Sequence, residues 1–171
     1  GTSLRLEGQE LDLLSLSVDG CELATTEYLV GANSLLIHAV PAQCVVACRT
    51  RLRPKDNTAL SGLYKSRKLF CTQCEAEGFR KITYYLDRPD VMSVFTVTMD
   101  ADQESYPVLL SNGNLIEVRE LADGRHRAVW HDPFPKPAYL FALVAGDLSH
   151  TQDSFTTVNG RQVTLRIYVE D

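Results

Sequence analysis

The chain has 171 residues, 44% of them hydrophobic and 23% charged, which is typical of a soluble globular protein. Its net charge of −5 argues against the clustered basic surface that nucleic-acid-binding domains usually carry. No apolar run approaches the ~20 residues that span a membrane. The totals therefore predict neither nucleic acid nor a membrane span among the interactions of this chain, and its length suits a single domain.

The N-terminal part of the chain alternates apolar and polar residues with a period of two, which predicts half-buried β-strands. In residues 14–18, leucines and a valine alternate with serines, and the pair Asp19-Gly20 then predicts a turn. In residues 44–48, two cysteines and a valine fall on the apolar side of a second strand. We expect these apolar side chains to face a core.

The cysteines of the chain number five, an odd count that argues against a disulfide scaffold. They are Cys21, Cys44, Cys48, Cys71 and Cys74. Reduced thiols are typical of intracellular proteins, so we predict a cytoplasmic location.

The spacing of the last four cysteines is close to that of a zinc ribbon, which leaves a structural zinc module open. However, Cys44 and Cys48 lie on the apolar side of a strand and lack a glycine-bearing knuckle that would bring two thiolates onto one ion. Cysteine is also commonly buried without any chemical role. We therefore expect no metal to be bound by these residues.

Gln73 and Glu75 form a second candidate site in the same stretch. If residues 72–75 are extended, both side chains project from one face and Cys74 points to the other. A glutamine carbonyl beside a glutamate carboxylate is an acceptor pair suited to an ammonium group, such as the α-amine of a peptide, whose pKa is about 8. The alternative is an ordinary solvated edge strand.

Only residues 77–86 favour a helix, a short one that ends before Pro89. Beyond it, residues 95–99 alternate again. Three turn pairs, each between strand-like runs, predict hairpins. They are Asn112-Gly113, Asp123-Gly124 and Asn159-Gly160.

The last 40 or so residues contain three further signals. Three prolines within residues 132–137 predict a stiff connector rather than a paired inner strand. The apolar run 139–146 predicts a central strand, and residues 162–169 show the clearest alternation of the chain. Together these patterns predict an all-β fold, an antiparallel β-sandwich or saddle with at most one short helix, formed by residues 1–171 as a single β domain.

Motifs of catalysis are missing from the sequence. Its four histidines are far apart, and it contains no H-E-x-x-H, no G-x-S-x-G and no phosphate-binding loop. His131-Asp132 could act as an acid–base pair, but it lies beside the prolines with no nucleophile nearby, so we interpret it as structural. No catalytic residue is predicted within this chain.

Three long motifs carry a resemblance to a known family. They are "FCTQCEAEGFRKITYYLDRPDV", "YPVLLSNGN" and "DPFPKPAYLFALVAGDL". In these motifs the chain closely resembles the N-terminal domain of aminopeptidase N, a zinc-dependent gluzincin family, in its bacterial and apicomplexan branch. The likeness runs in register from about Asn57 to Val169 and is looser before Arg53.

The resemblance implies a peptidase that removes N-terminal residues from peptides with one zinc ion. In the family, H-E-x-x-H and a distant glutamate hold the zinc in a thermolysin-like catalytic domain, which would follow Asp171 and is absent here. The chain is thus expected to be a truncated N-terminal domain that is inactive alone, with peptides bearing a free N-terminal amine and that catalytic domain as its partners.

The resemblance also implies a role for Gln73 and Glu75. In the family, a Gln-x-Glu motif of the N-terminal domain lies beside the first substrate residue, and the N-terminal domain covers the active site. These positions match Gln73 and Glu75, which are expected to bind the substrate amine, and the peptide bond from Glu75 to Ala76 is expected to be cis. The alternative function is a non-catalytic β-sandwich module that binds peptide or carbohydrate.

Overall fold

The computed structural model describes residues 1–170, which are built almost entirely of antiparallel strands. The strands are β1 (Thr2–Glu7), β2 (Asp12–Val18), β3 (Cys21–Glu22), β4 (Tyr28–Val30), β5 (Ser34–Val40), β6 (Val46–Arg51), β7 (Gly62–Ser66), β8 (Leu69–Gln73), β9 (Ser93–Asp102), β10 (Val108–Ser111), β11 (Asn114–Glu120), β12 (Arg125–Lys136), β13 (Leu143–Gly146), β14 (Ser149–Thr156) and β15 (Gln162–Val169). The predicted all-β antiparallel fold is confirmed. No helix among residues 1–170 is long and apolar enough to cross a membrane.

Helical structure in the described residues is confined to two 3₁₀ turns. The helix predicted within residues 77–86 is only the single turn Phe79–Lys81. A second turn, Ala138–Leu140, occupies the start of the run that was predicted to be a strand, and β13 begins only at Leu143. β13 is nevertheless central, because it lies between β10 and β8 in its sheet.

The strands form five sheets, whose strand orders are β1-β5-β4, β3-β2-β6, β10-β13-β8-β7, β11-β12-β9 and β14-β15. The first two sheets enclose a core centred on Leu16, Leu35 and Ile37. The predicted inward face of β2 is only partly right, since Leu14 is 43% exposed. A register shift between Leu13 and Ser15 opposite β6 turns Leu13 toward the core instead.

Three of the turn pairs close hairpins as predicted: Asp19-Gly20 between β2 and β3, Asp123-Gly124 between β11 and β12, and Asn159-Gly160 between β14 and β15. The prediction for Asn112-Gly113 is wrong. β10 pairs with β13 and β11 with β12, so this turn carries the chain from one sheet to the next. Gly113 has φ 86°, and a Cβ there would lie 2.3 Å from the His131 carbonyl oxygen, so the position needs glycine.

The prediction of a stiff connector at the prolines is also wrong, because Pro133 and Pro135 lie inside β12. β11 begins at Asn114, opposite His131, so the segment beyond His131 is paired only with β9. Its register with β9 shifts between Asp132 and Lys136. The prolines therefore occupy a bulged, one-sided end of the strand, where a missing N–H breaks no ladder.

The hairpin of β14 and β15 pairs only with itself among the described strands. Its alternating face was predicted to be half-buried, but Ile167 is 65% exposed, and Leu165 and Val169 are also exposed. The apolar residues of β15 do share one face, but no second sheet formed by residues 1–170 covers that face. None of the hairpin residues belongs to the buried core clusters of residues 1–170.

Candidate substrate-binding site

Gln73 and Glu75 lie at the point where β8 ends and a tight turn begins. Gln73 is the last residue of β8, opposite Gly62 in β7, and it is exposed, as is Glu75, while Cys74 between them is 3% exposed. The predicted alternation across residues 73–75 is confirmed. The extended conformation stops sooner than predicted, since Glu75 opens a turn in which the Gly78 N–H donates to the Cys74 carbonyl at 2.8 Å. The peptide bond from Glu75 to Ala76 is cis, as expected.

Hydrogen bonding at this turn leaves acceptors free. The Gln73 side-chain amide Nε2 donates to the Glu75 backbone carbonyl over 3.4 Å. Within residues 1–170, the Gln73 Oε1 atom and the Glu75 carboxylate have no hydrogen bond or ion pair. A carbonyl oxygen and a carboxylate are thus presented together at an exposed strand end, an arrangement that can accept hydrogen bonds from an ammonium group.

Beneath the turn lies a tightly packed aromatic floor. Cys74 packs in one cluster with Phe79, Ala138 and Phe141. The Phe79 ring meets Phe141 edge-on with centroids 5.1 Å apart and Tyr85 with centroids 4.9 Å apart. Such edge-to-face contacts fix ring orientation, so the turn rests on a rigid base.

Two glycines let the turn approach β7. A Cβ on Gly78 would lie 2.3 Å from the Gln73 carbonyl oxygen and 3.0 Å from the Gly62 nitrogen. Gly62 has φ 77°, and its own Cβ would lie 2.7 Å from the Lys81 Cβ. Larger residues at either position would push the turn away from the strand that holds Gln73.

A buried ion pair, missed by the sequence reasoning, lies on the far side of the turn. Arg80 Nε is 2.9 Å from Asp87 Oδ2, and the side chains are 14% and 2% exposed. Arg80 also reaches Glu77 Oε1 at 3.3 Å. The sequence signal for this ion pair is Asp87 itself, which follows an apolar and aromatic run, but that position does not reveal Arg80 as its partner.

The cysteines do not support a metal or redox site. Burial, with the Asp87 charge as a second cause, raises the pKa of Cys74 to about 12, so its thiol stays protonated at neutral pH. All five cysteines are free of disulfides. No group of three or more metal-ligating side chains occurs within the part of the chain that the structure describes. A zinc-ribbon interpretation therefore has no geometric support in residues 1–170.

The side chains of His131 and Asp132, predicted to be structural, contact different residues. Asp132 is buried and forms an ion pair with Lys136, while His131 Nδ1 lies 2.9 Å from the Thr96 hydroxyl. Within residues 1–170, the two side chains thus have separate partners and no hydrogen bond joins them.

The fold is that of a domain found in M1 peptidases. Residues 18–140 match the Peptidase M1 N-terminal domain, and the chain belongs to that family. The matched range contains the Gln73–Glu75 turn, Leu35 and Ile37 of the first core, and Phe79 of the aromatic floor.

Relatives agree with this assignment. The chain is 52% identical over 167 residues to aminopeptidase N of Caulobacter vibrioides and 50% identical over 167 residues to that of Escherichia coli, covering 98% of this chain in both cases. It spans only 19% of the length of either relative.

Solved structures give the same picture. Aminopeptidase A of Legionella pneumophila, in complex with aspartic acid, superposes with a TM-score of 0.93 at 40% identity, over 98% of this chain and 20% of that one. An M1 zinc metallopeptidase of Deinococcus radiodurans bound to a Tyr-Ser-Ala substrate superposes with a TM-score of 0.78 at 15% identity, over 96% of this chain and 39% of that one. The second likeness concerns the fold alone.

Proposed function

We propose that this chain is the N-terminal domain of a zinc-dependent aminopeptidase, where it covers the active site and anchors the N-terminal residue of peptide substrates. Family membership and the relatives named aminopeptidase N support the assignment. The observation that carries it is the exposed, unpaired Glu75 carboxylate beside Gln73 at the end of β8.

The chemistry of anchoring follows from the two acceptors. A peptide α-ammonium has three N–H donors. One of them donates a charge-assisted hydrogen bond to the Glu75 carboxylate, which contributes about 1.5–3 kcal/mol. Gln73 contributes its Oε1 atom and borders the space for the first side chain. Fixing the amine sets the register of the peptide, and this ordering lowers the entropic part of the barrier to cleavage.

Zinc belongs, in this proposal, to another part of the protein. The Deinococcus protein with the same fold is a zinc metallopeptidase. In this chain the described residues offer no suitable ligand group, and the Cys74 thiol stays protonated. The chain supplies substrate binding and no catalytic residue, and its partners are peptides with a free N-terminal amine and the catalytic domain of the same protein. The five free cysteines fit a cytoplasmic location.

The role of Glu75 is tested in the full-length protein that contains this domain. Glu75→Ala is expected to raise KM about 10- to 150-fold, because a bond of 1.5–3 kcal/mol is lost. Glu104→Ala is the matched control, since Glu104 is also an exposed acid in a turn but follows the distant strand β9. An unchanged KM in Glu75→Ala would refute the anchoring role.

A second assay tests the division of labour. The 171-residue chain, incubated with excess zinc and an alanyl chromogenic substrate, is expected to show no turnover. Zinc-dependent turnover that survives purification would show that these residues hold a metal site, with Cys71 and Cys74 the first residues to replace.

A further inference from the structure

We infer that Arg80 and Asp87 are positioning residues for amine recognition: their buried ion pair fixes the turn that carries Glu75 and keeps the Arg80 cation away from its carboxylate. This inference rests on the proposed function and adds two residues to it. Neither residue is expected to touch the substrate.

The Glu75 side chain depends on its backbone for its position. Its carboxylate has no partner within residues 1–170, so nothing but the turn decides where the charge lies. The turn is tied on its upstream side by Cys74, which is buried in the aromatic floor, and by the Gly78 to Cys74 hydrogen bond. On its downstream side Phe79 is buried in the same floor, and the next residue, Arg80, adds a tie of its own.

Arg80 provides that downstream tie through both its side chain and its backbone. The guanidinium donates from Nε to Asp87 Oδ2 at 2.9 Å and from Nη2 to the Asp87 carbonyl at 2.8 Å. The Arg80 backbone N–H donates to the same Asp87 oxygen at 3.1 Å. These three hydrogen bonds hold Arg80, and with it the end of the turn, in a single orientation.

Asp87 is in turn fixed to the first core of the domain. Its backbone N–H donates to Glu7 Oε2 at 3.3 Å, and the Gln9 N–H donates to the Arg80 carbonyl at 2.8 Å. Glu7 is the last residue of β1, so the pair connects the turn to a strand that packs elsewhere. The connection makes the position of the turn a property of the whole domain.

Charge balance gives the pair a second effect. The Arg80 cation faces two carboxylates, Asp87 and Glu77, and Glu77 lies only two residues after Glu75. With both acids in place, Arg80 is already paired and Glu75 remains free for a substrate cation. Removing the Asp87 charge would leave Glu77 as the one carboxylate facing Arg80 and would release the guanidinium from its fixed position beside the turn.

The test is a double-mutant cycle in the full-length protein, with Asp87→Asn made alone and together with Glu75→Ala. Asp87→Asn is expected to raise KM about tenfold with little change in kcat, a coupling within the range found for residues in one network. In the Glu75→Ala background it is expected to add nothing, because the group it positions is gone. Asp100→Asn, which breaks the ion pair with Arg127 on the distant β9–β12 pair, is the control and should leave KM unchanged.

A second variant covers the case in which Asp87→Asn fails to fold. Arg80→Lys keeps the cation but loses the planar fork, and we expect a KM rise of about threefold that also vanishes in the Glu75→Ala background. Melting temperatures of all variants separate loss of fold from loss of anchoring.

Three results would count against these statements. If Asp87→Asn and Arg80→Lys both have the wild-type KM while the KM of Glu75→Ala is raised, the inference is overturned and the proposed function stands. An equal KM rise with and without Glu75 would overturn the inference too, because the pair would then act elsewhere. A normal KM in Glu75→Ala would remove the proposed function and the inference with it.

Discussion

The aromatic floor under the Glu75 turn and the β14–β15 hairpin both carry large apolar side chains but differ in what covers them. Phe79 in the floor is 6% exposed and meets the rings of Tyr85, Phe95 and Phe141. Ile167 in the hairpin belongs to the clearest alternation of the chain and nevertheless remains exposed. Alternation predicts which side chains share a face; it does not say whether another sheet lies against that face.

The contrast matters for the site. The proposed anchoring by Gln73 and Glu75 would need a rigid base, and most ring contacts of residues 1–170, two crowded glycines and the buried Arg80–Asp87 pair lie there. Within residues 1–170, the hairpin has one ring contact, between His150 and Tyr168, and its Gly160 is uncrowded. The same kind of substitution is therefore expected to cost more stability in the aromatic floor than in the hairpin.

The largest difference is expected for apolar truncation. Phe79→Ala should destabilise the domain by about 3–5 kcal/mol, because it removes a buried ring and leaves a cavity. Ile167→Ala should cost at most about 1 kcal/mol, since that side chain is mostly in solvent. Urea unfolding of both variants measures the two costs, and equal values would show that the hairpin is packed as tightly as the floor.

Glycine replacement gives a closer match, because Gly62 and Gly160 have φ values of 77° and 78°. Gly160→Ala should cost about 1–2 kcal/mol from the positive φ alone, since nothing lies within 4 Å of the added Cβ. Gly62→Ala carries the same strain plus a clash with Lys81, for a total of about 2–5 kcal/mol. Thermal melts of the two variants provide the comparison, and a Gly160 cost equal to or above that of Gly62 would contradict the crowding at the turn.

The Cys74 thiol gives an effect that is absent at neutral pH and develops only at high pH. The pKa of Cys74 is raised from 9.0 to about 12 in the folded chain, so the folded state holds its proton more tightly than the unfolded state. Its contribution to stability is therefore intact below pH 9 and falls as the pH rises from 9 to 12, by at most about 1.4 kcal/mol per pH unit. Urea midpoints across that range measure the fall, and Cys74→Ala should lack this part of the slope.

Thiol labelling provides the matching control. Exposed Cys21 should react with a disulfide reagent in the native protein, while Cys74 should react only after denaturation. Fast native labelling of Cys74 would show that the floor opens more readily than its packing implies.

Much of the fold could be predicted from local chemistry. The turn pairs at Asp19-Gly20, Asp123-Gly124 and Asn159-Gly160 place positive φ where hairpins need it, and the exposed Gln73 and Glu75 follow from alternation around a buried cysteine. These features depend on neighbours in sequence.

The remaining features depend on neighbours in space. The bulge that exposes Leu14 is set by its pairing with β6, and the proline end of β12 is tolerated because β11 begins only at Asn114, opposite His131. The Arg80–Asp87 pair joins residues whose burial only the assembled floor creates. No local pattern contains that information.

The most direct test of the account compares two competitors of a chromogenic substrate in the full-length protein: a dipeptide amide with a free amine, which competes as an alternative substrate, and its N-acetylated counterpart, which competes as an inhibitor. In the wild-type protein the free amine should bind about 10- to 150-fold more tightly, because it alone forms the charge-assisted bond. Glu75→Gln should reduce that ratio about tenfold or more, whereas Glu104→Gln should preserve it. An undiminished ratio in Glu75→Gln would contradict the claim that this domain anchors the substrate amine.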